Sequence, residues 1–141
     1  MIIVLLMLTS ALAGCASSDE QDCMSGDELS NADLTGTDLI CADLSYANLI
    51  WADLSYVDLS GTNLSSADLY GATLNNANLS YANLSYIGLT NADLRQADLT
   101  GADLTGADLT DADLTGADWY YTTCPDGTNS DDNGDTCENN L

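Results

Sequence analysis

The chain has 141 residues, enough for one modest domain, and its formal net charge is −22: 23 acidic side chains against one Arg, with no Lys and no His. Such a surface repels nucleic acid and anionic lipid and attracts cations or basic proteins. Without His or Lys the usual general bases and amine nucleophiles are missing, and a row of equivalent Asp residues is not a tuned acid/base pair, so the composition argues against an enzyme and against a small-molecule substrate.

High charge often accompanies disorder. Here 45% of the residues are hydrophobic and recur in strict order, which points to a packed chain. The first element, Met1 to Gly14, reads MIIVLLMLTSALAG. It is apolar, and at about 1.5 Å per residue it is too short to span a bilayer comfortably. It ends in Leu12-Ala13-Gly14-Cys15, which resembles a bacterial lipobox. That resemblance implies a lipoprotein signal peptide over 1–14, cleavage before Cys15 and acylation, palmitate included, of the Cys15 thiol. Several acyl chains would anchor the protein durably to a bacterial membrane. The leader carries no Lys or Arg, and an ordinary secretory peptide cut after Ala13 or Gly14 is the alternative. Residues 15–29 then read as a lipidated tether and amino-terminal cap, with a helical turn over Ser25 to Ser30.

Four further cysteines are Cys23, Cys41, Cys124 and Cys137. An even count in an exported chain suggests disulfides, with three pairings open. The local choice joins Cys124 to Cys137 and closes a turn-rich loop, worth about 3 kcal/mol in the chain-entropy model. Cys23 with Cys41 would then pin the amino-terminal segment to the repeat. Unpaired structural thiols are the alternative.

The central element begins near residue 30. "CADLSYANLIWADLSYVDLS", Cys41 to Ser60, returns Leu at 44, 49, 54 and 59. Five residues advance a helix by about 140° net, so the leucines would wander round it. An odd period in a strand flips each successive leucine to the other face. The chain must therefore turn once per repeat, and four sides closing a square give about 20 residues per coil, stacked roughly 4.8 Å apart. Leu34 through Leu114 supply one large inward residue per side. Ala supplies most of the small ones, as at Ala32, Ala42, Ala47 and Ala52, with Thr37, Val57, Thr62 and Ile87 as exceptions. Trp119 takes the leucine slot in the last of 18 repeats centred on 34 through 119, about four and a half coils.

Units such as Ala102-Asp103-Leu104-Thr105-Gly106 resemble those of the pentapeptide-repeat proteins. The resemblance covers residues 30–121 and implies an all-β fold, a right-handed quadrilateral β-helix with Leu and the preceding small residue pointing inward. It leaves function open. Residues 122–141 follow as a carboxy-terminal disulfide loop and tail, which with Tyr120 and Tyr121 covers one end.

A 20-residue register sets the outward neighbours: Asp33 against Asp53, Asp93 against Asp113, Asp98 against Asp118, Asp43 against Asn63, Asn83 against Asp103. Like charges about 5 Å apart repel by about 1 kcal/mol in water. Asn63, Thr73, Asn78, Asn83 and Gly88 interrupt the acids in the middle, whereas Asp93 to Asp118 carries Asp in six repeats running, near the lone Arg95. Ile50, Trp51 and Tyr70 fall together as an aromatic contact patch, with Ile40, Tyr46 and Tyr56 on the other sides. The alternative cover for that patch is the segment Ser17 to Ser30.

In the tail, Asn129, Asp131, Asn133 and Asp135 place oxygen ligands at alternate positions around Gly134, as at the start of a calcium loop. Asn at the first and twelfth positions departs from that pattern, and a metal-free turn-rich loop is the alternative. No other cofactor is implied.

Three functions follow. The first is a non-catalytic, lipid-anchored, extracytoplasmic module at the cell envelope, structural or protein-binding, whose partner the sequence does not name. The second comes from the family resemblance: an acidic rod that mimics duplex DNA and binds a DNA-handling protein such as gyrase, which the leader argues against. The third is cation or calcium binding at the envelope.

Overall fold

The computed structural model describes residues 28–133 and 136–137. The chain winds as a four-sided coil, and its periodic signature is a ladder of single-residue parallel bridges. They run from Glu28↔Asn48 through Asp103↔Thr123, each joining residues 20 apart. The neighbours expected from a 20-residue register are thus the neighbours observed, Asp33 with Asp53 and Asn83 with Asp103 among them. Each side contributes only one bridging residue. A five-residue side has no room for more, because two residues are needed to turn the next corner.

On the side from Ala97 to Gly101, which carries Asp and has a coil before and after it, all five backbone N–H groups find an acceptor. Ala97 donates across its own corner to the Leu94 carbonyl (3.1 Å), and Asp98 donates to Ala77 one coil back (3.0 Å). Leu99 donates to Asp118 one coil on (2.9 Å), and Gly101 to Tyr120 (2.8 Å). The remaining donor, Thr100 N–H, bonds the Asp98 side-chain Oδ1 at 2.9 Å. Buried backbone donors must be satisfied, and here the acidic residue supplies the acceptor that the coil lacks.

The corners are type II turns. Ala102 N–H bonds the Leu99 carbonyl at 2.9 Å, and the residue between the turn's ends, Gly101, has φ 69°. That geometry requires a left-handed backbone at the second turn residue. It recurs at every fifth residue from Asn31 to Tyr121. Glycine occupies six of these corners, at 36, 61, 71, 101, 106 and 116, and Asn or Asp occupies 31, 76, 91 and 111. Six more carry Trp or Tyr, at 46, 51, 56, 81, 86 and 121, where a bulky side chain is an uncommon occupant.

The axis is filled as the repeat implies. Leu29 to Leu114, then Trp119 and Cys124, occupy the large slot and are all buried. The small slot is Ala with Thr37, Val57, Thr62 and Ile87; the Thr62 hydroxyl is satisfied by the Leu39 carbonyl at 2.9 Å, and that of half-buried Thr37 by the Leu34 carbonyl at 2.6 Å. The coil extends beyond the sequence pattern at both ends. Glu28 bridges Asn48 and Leu29 is buried, so residues 28–30 form part of a coil side and its corner, not the helical turn expected there. At the other end Thr122, Thr123 and Cys124 take the small, outward and large slots, although none is Ala, Asp or Leu. The slots from Leu29 to Cys124 make five coils.

The carboxy-terminal segment folds over part of the last coil. Thr123 pairs antiparallel with Asn129, a single 3-10 turn spans Ser130–Asn133, and Cys124 is bonded to Cys137. Ser130 Oγ donates to the Trp119 carbonyl, and Thr122 Oγ1 reaches Leu99 O at 2.7 Å. Tyr120 and Tyr121 remain half exposed and meet edge to face, 4.5 Å between centroids.

Candidate functional site

The acidic surface is built into the corners. Asp33, Asp43, Asp53, Asp58, Asp98, Asp103, Asp108 and Asp113 each accept from the N–H two residues on, at 2.9–3.1 Å. Where that residue is Thr or Ser its hydroxyl often adds a second bond, as Thr105 to Asp103 at 2.6 Å. These are Asx turns, which is why Asp and Asn interchange at this slot: both present the same oxygen. Hydrogen bonds from the Thr35, Thr110 and Thr115 side chains, then their N–H groups, hold Asp33, Asp108 and Asp113 below the ordinary carboxylate value. Arg95 does the same for Asp93, through bonds of 2.8 and 2.7 Å, and its Nε also lies 3.8 Å from Asp113. Asn at intermediate coils turns repulsion into a bond: Asn63 donates to Asp43 at 3.0 Å, and Asn78 to Asp58 at 3.1 Å. One oxygen of each such carboxylate, Oδ1, is committed to its own turn. Among the described residues no group of three or more His, Cys, Asp or Glu is placed to hold a metal.

Two of the four tail residues, Asn129 and Asp131, hold the fold of the tail. Asn129 Oδ1 accepts from Asp131 N–H at 2.9 Å, and Asp131 Oδ1 accepts from Tyr121 N–H at 3.0 Å. Asp135 and the Asn133 side chain lie outside the described residues, as do Cys15 and Cys23. Cys41 carries an exposed free thiol at a corner, 3.9 Å from the Ser60 carbonyl.

The aromatic patch is the feature the fold assembles most distinctly. Trp51 and Tyr70 meet edge to face with centroids 5.4 Å apart, and both are substantially exposed, 56% and 40%. Trp51 lies across Gly71, Tyr81 across Gly101 and Tyr86 across Gly106, each one coil apart. Beside Trp51 and Tyr70, the residues Ile50, Tyr70, Asp68, Gly88, Thr90 and Asp108 line a notch of about 420 Å³. Ile50 and Tyr70 both line it. The contributions of Asp68, Gly88, Thr90 and Asp108 were missed. The available signal was the gap in the Asp/Asn slot at 88.

Comparison with known proteins places this geometry. The family model for pentapeptide repeats matches in eight copies, over residues 28–55, 52–85 and 88–118. Among solved structures, a pentapeptide repeat protein from the Arabidopsis thaliana thylakoid lumen superposes with a TM-score of 0.67 at 32% identity. That match covers 73% of this chain and 72% of that one. The pentapeptide repeat protein Rfr23 of the cyanobacterium Cyanothece 51142 matches at 35% identity over 66% of this chain and 84% of its own, with a TM-score of 0.40. No curated protein matches the chain.

Proposed function

The chain belongs to the pentapeptide-repeat family, a non-enzymatic structural fold, and from that premise we propose that it is a lipid-anchored extracytoplasmic module that presents an acidic, aromatic-studded rod to a protein partner at the cell envelope. The observation that carries the binding role is the edge-to-face pairing of exposed Trp51 with Tyr70 beside the notch, on a rod that also exposes Tyr46, Tyr56, Tyr81 and Tyr86. Large exposed aromatics beside a notch mark contact surfaces, since solvent alone gives no reason to hold them there. The anchor rests on the residues of the sequence, the apolar run closing on Leu12-Ala13-Gly14-Cys15. The thylakoid-lumen relative supports a working place outside the cytoplasm. In this reading 1–14 is the signal peptide and the lipidated tether leads into the repeat, whose coil runs from Glu28 to Cys124 before the carboxy-terminal loop. The DNA-mimicking alternative draws on the family resemblance and the net charge of −22, and the apolar leader argues against it.

Metabolic labelling with a radioactive fatty acid, followed by fractionation of a bacterial host, tests the reading. Label in the membrane fraction that disappears with Cys15→Ser is the expected result. An unlabelled cytosolic protein would overturn the anchor and favour the DNA-mimicking alternative.

A further inference from the structure

We propose that the notch over Gly88 is a docking site for an arginine side chain presented by a basic partner protein. The inference deepens the protein-binding part of the function above and is independent of the lipid anchor.

Gly88 stands in the slot that Asp or Asn occupies in most coils, and nothing in the backbone demands glycine. Its φ lies outside the left-handed region, and an added Cβ would meet nothing closer than Asp68 Oδ1 at 3.6 Å. Glycine here removes the side-chain cap on the following turn and adds freedom to the unfolded chain, and both destabilise the coil. What it creates is space. The missing side chain leaves the 420 Å³ notch, with Ile50 and Tyr70 as an apolar wall and Asp68 and Asp108 one coil to either side of Gly88. The wall is set in advance, because Trp51 braces the Tyr70 ring and itself lies on Gly71.

The donor shape selects the ligand. Asp68 and Asp108 are two coils apart, roughly 10 Å at strand spacing. Hydrogen bonds of about 2.9 Å at each end would leave about 4 Å between two donor nitrogens, more than one guanidinium spans, so a single head group pairs with one carboxylate while the other adds to the local field. The planar guanidinium presents two parallel N–H donors to that carboxylate and stacks on an aromatic face, whereas an ammonium presents a single nitrogen. The Tyr70 ring lining the notch adds an aromatic surface that favours a cation.

Charge excludes the nearer occupants. The chain's only Arg, Arg95, is paired with Asp93 at 2.7 Å and faces Asp113. The segment Ser17 to Ser30 contains Asp19, Glu20, Asp22, Asp27 and Glu28 and no cation, so its charge opposes folding into an acidic notch. A second copy carries the same net charge of −22. The complementary occupant is a basic residue from another protein.

Titrating the full chain with oligo-arginine and oligo-lysine peptides of equal length, followed by NMR, tests this. Saturable shifts are expected at the Gly88 and Thr90 amides and the Trp51 indole, with oligo-arginine binding about fivefold tighter or more. Gly88→Asp restores the repeat pattern and adds negative charge, yet it should weaken oligo-arginine binding about fivefold by filling the notch. Gly88→Ala should weaken it less. Equal affinity for the two peptides overturns the proposal, as does unchanged or tighter binding by Gly88→Asp. A notch that responds only after residues 17–27 are removed also overturns it, because the chain would then be its own occupant. Fatty-acid labelling reads the anchor separately, so the two can fail independently.

Discussion

Trp51 and Gly71 occupy the same corner in successive coils, and the indole lies where a side chain at 71 would begin: a Cβ built there falls 2.3 Å from Trp51 Cζ3. Tyr81 with Gly101 and Tyr86 with Gly106 repeat the arrangement at 2.7 Å. Corner residues one coil apart are only about 4.8 Å apart, less than two aromatic side chains need if both lie along the rod. Pairing a large corner residue with glycine resolves the crowding, and glycine also fits the left-handed backbone that every corner requires.

Gly71→Ala should therefore destabilise the rod by about 1–3 kcal/mol, combining backbone strain with overpacking against the indole. In a Trp51→Ala background the same change should cost only the strain, about 1 kcal/mol. Urea unfolding of the four proteins in the cycle checks this. Equal losses in both backgrounds would remove the ring from the explanation.

The corner caps predict a specific asymmetry at Asp103, whose Oδ1 accepts from both Thr105 N–H (2.9 Å) and Thr105 Oγ1 (2.6 Å). Asp103→Ala should lower stability by about 1 kcal/mol, and Asp103→Asn should be close to neutral, since the amide oxygen can take the same bonds. If the Asn variant were as damaged as the Ala variant, charge and not capping would be what the slot provides.

Acid should weaken the fold. Asp33, Asp93, Asp108, Asp113 and Asp126 are held below the ordinary carboxylate value by the bonds they accept. For a group depressed in the folded state, the unfolded chain takes up the proton first. The stabilisation is complete above the unfolded value of about 3.9 and is lost as pH falls through the folded values. Repulsion between stacked acids acts in the opposite sense, but at Asp113 the push from Asp93 is smaller than the contribution of the Thr115 bonds. Melting temperature should hold near neutral pH and drop below about pH 4. A rise on acidification would mean that repulsion dominates.

The Cys124–Cys137 bond closes a 13-residue separation over the last coil. Reduction, or Cys137→Ser, should cost about 3 kcal/mol in the chain-entropy model. It should also loosen the cover on Trp119, whose carbonyl accepts from Ser130 Oγ. A red shift of Trp119 emission, read in a Trp51→Phe background, accompanied by a lower melting temperature, is the expected pair of signals. Unchanged melting under reductant would show that the loop contributes nothing to the rod.

Much of this architecture was legible in the residues. A leucine every fifth position excludes helix and strand by geometry alone, and that one number implies the square coil, the 20-residue register and the pairs Asp33–Asp53 and Asn83–Asp103. The composition at Thr122, Thr123 and Cys124 hid the last repeat, because a slot is defined by backbone register and tolerates any side chain of fitting size. The meaning of the Asp slot was half visible. Its stacking and charge follow from spacing, but its bond to the N–H two residues on depends on a turn geometry that no periodicity encodes.

The candidate site divides along the same line. Sequence alone placed Ile50, Trp51 and Tyr70 together, because register assigns each position to a side; the left-handed backbone at Trp51 puts it at the adjoining corner. Only the folded coil decided that Trp51 braces Tyr70 edge to face, that glycine makes room for the indole, and that the gap at residue 88 opens into a notch between Asp68 and Asp108. Register is a one-dimensional property carried by repeat length. The direction a corner side chain takes, and the space a missing one leaves, depend on the residues stacked in the coils before and after it.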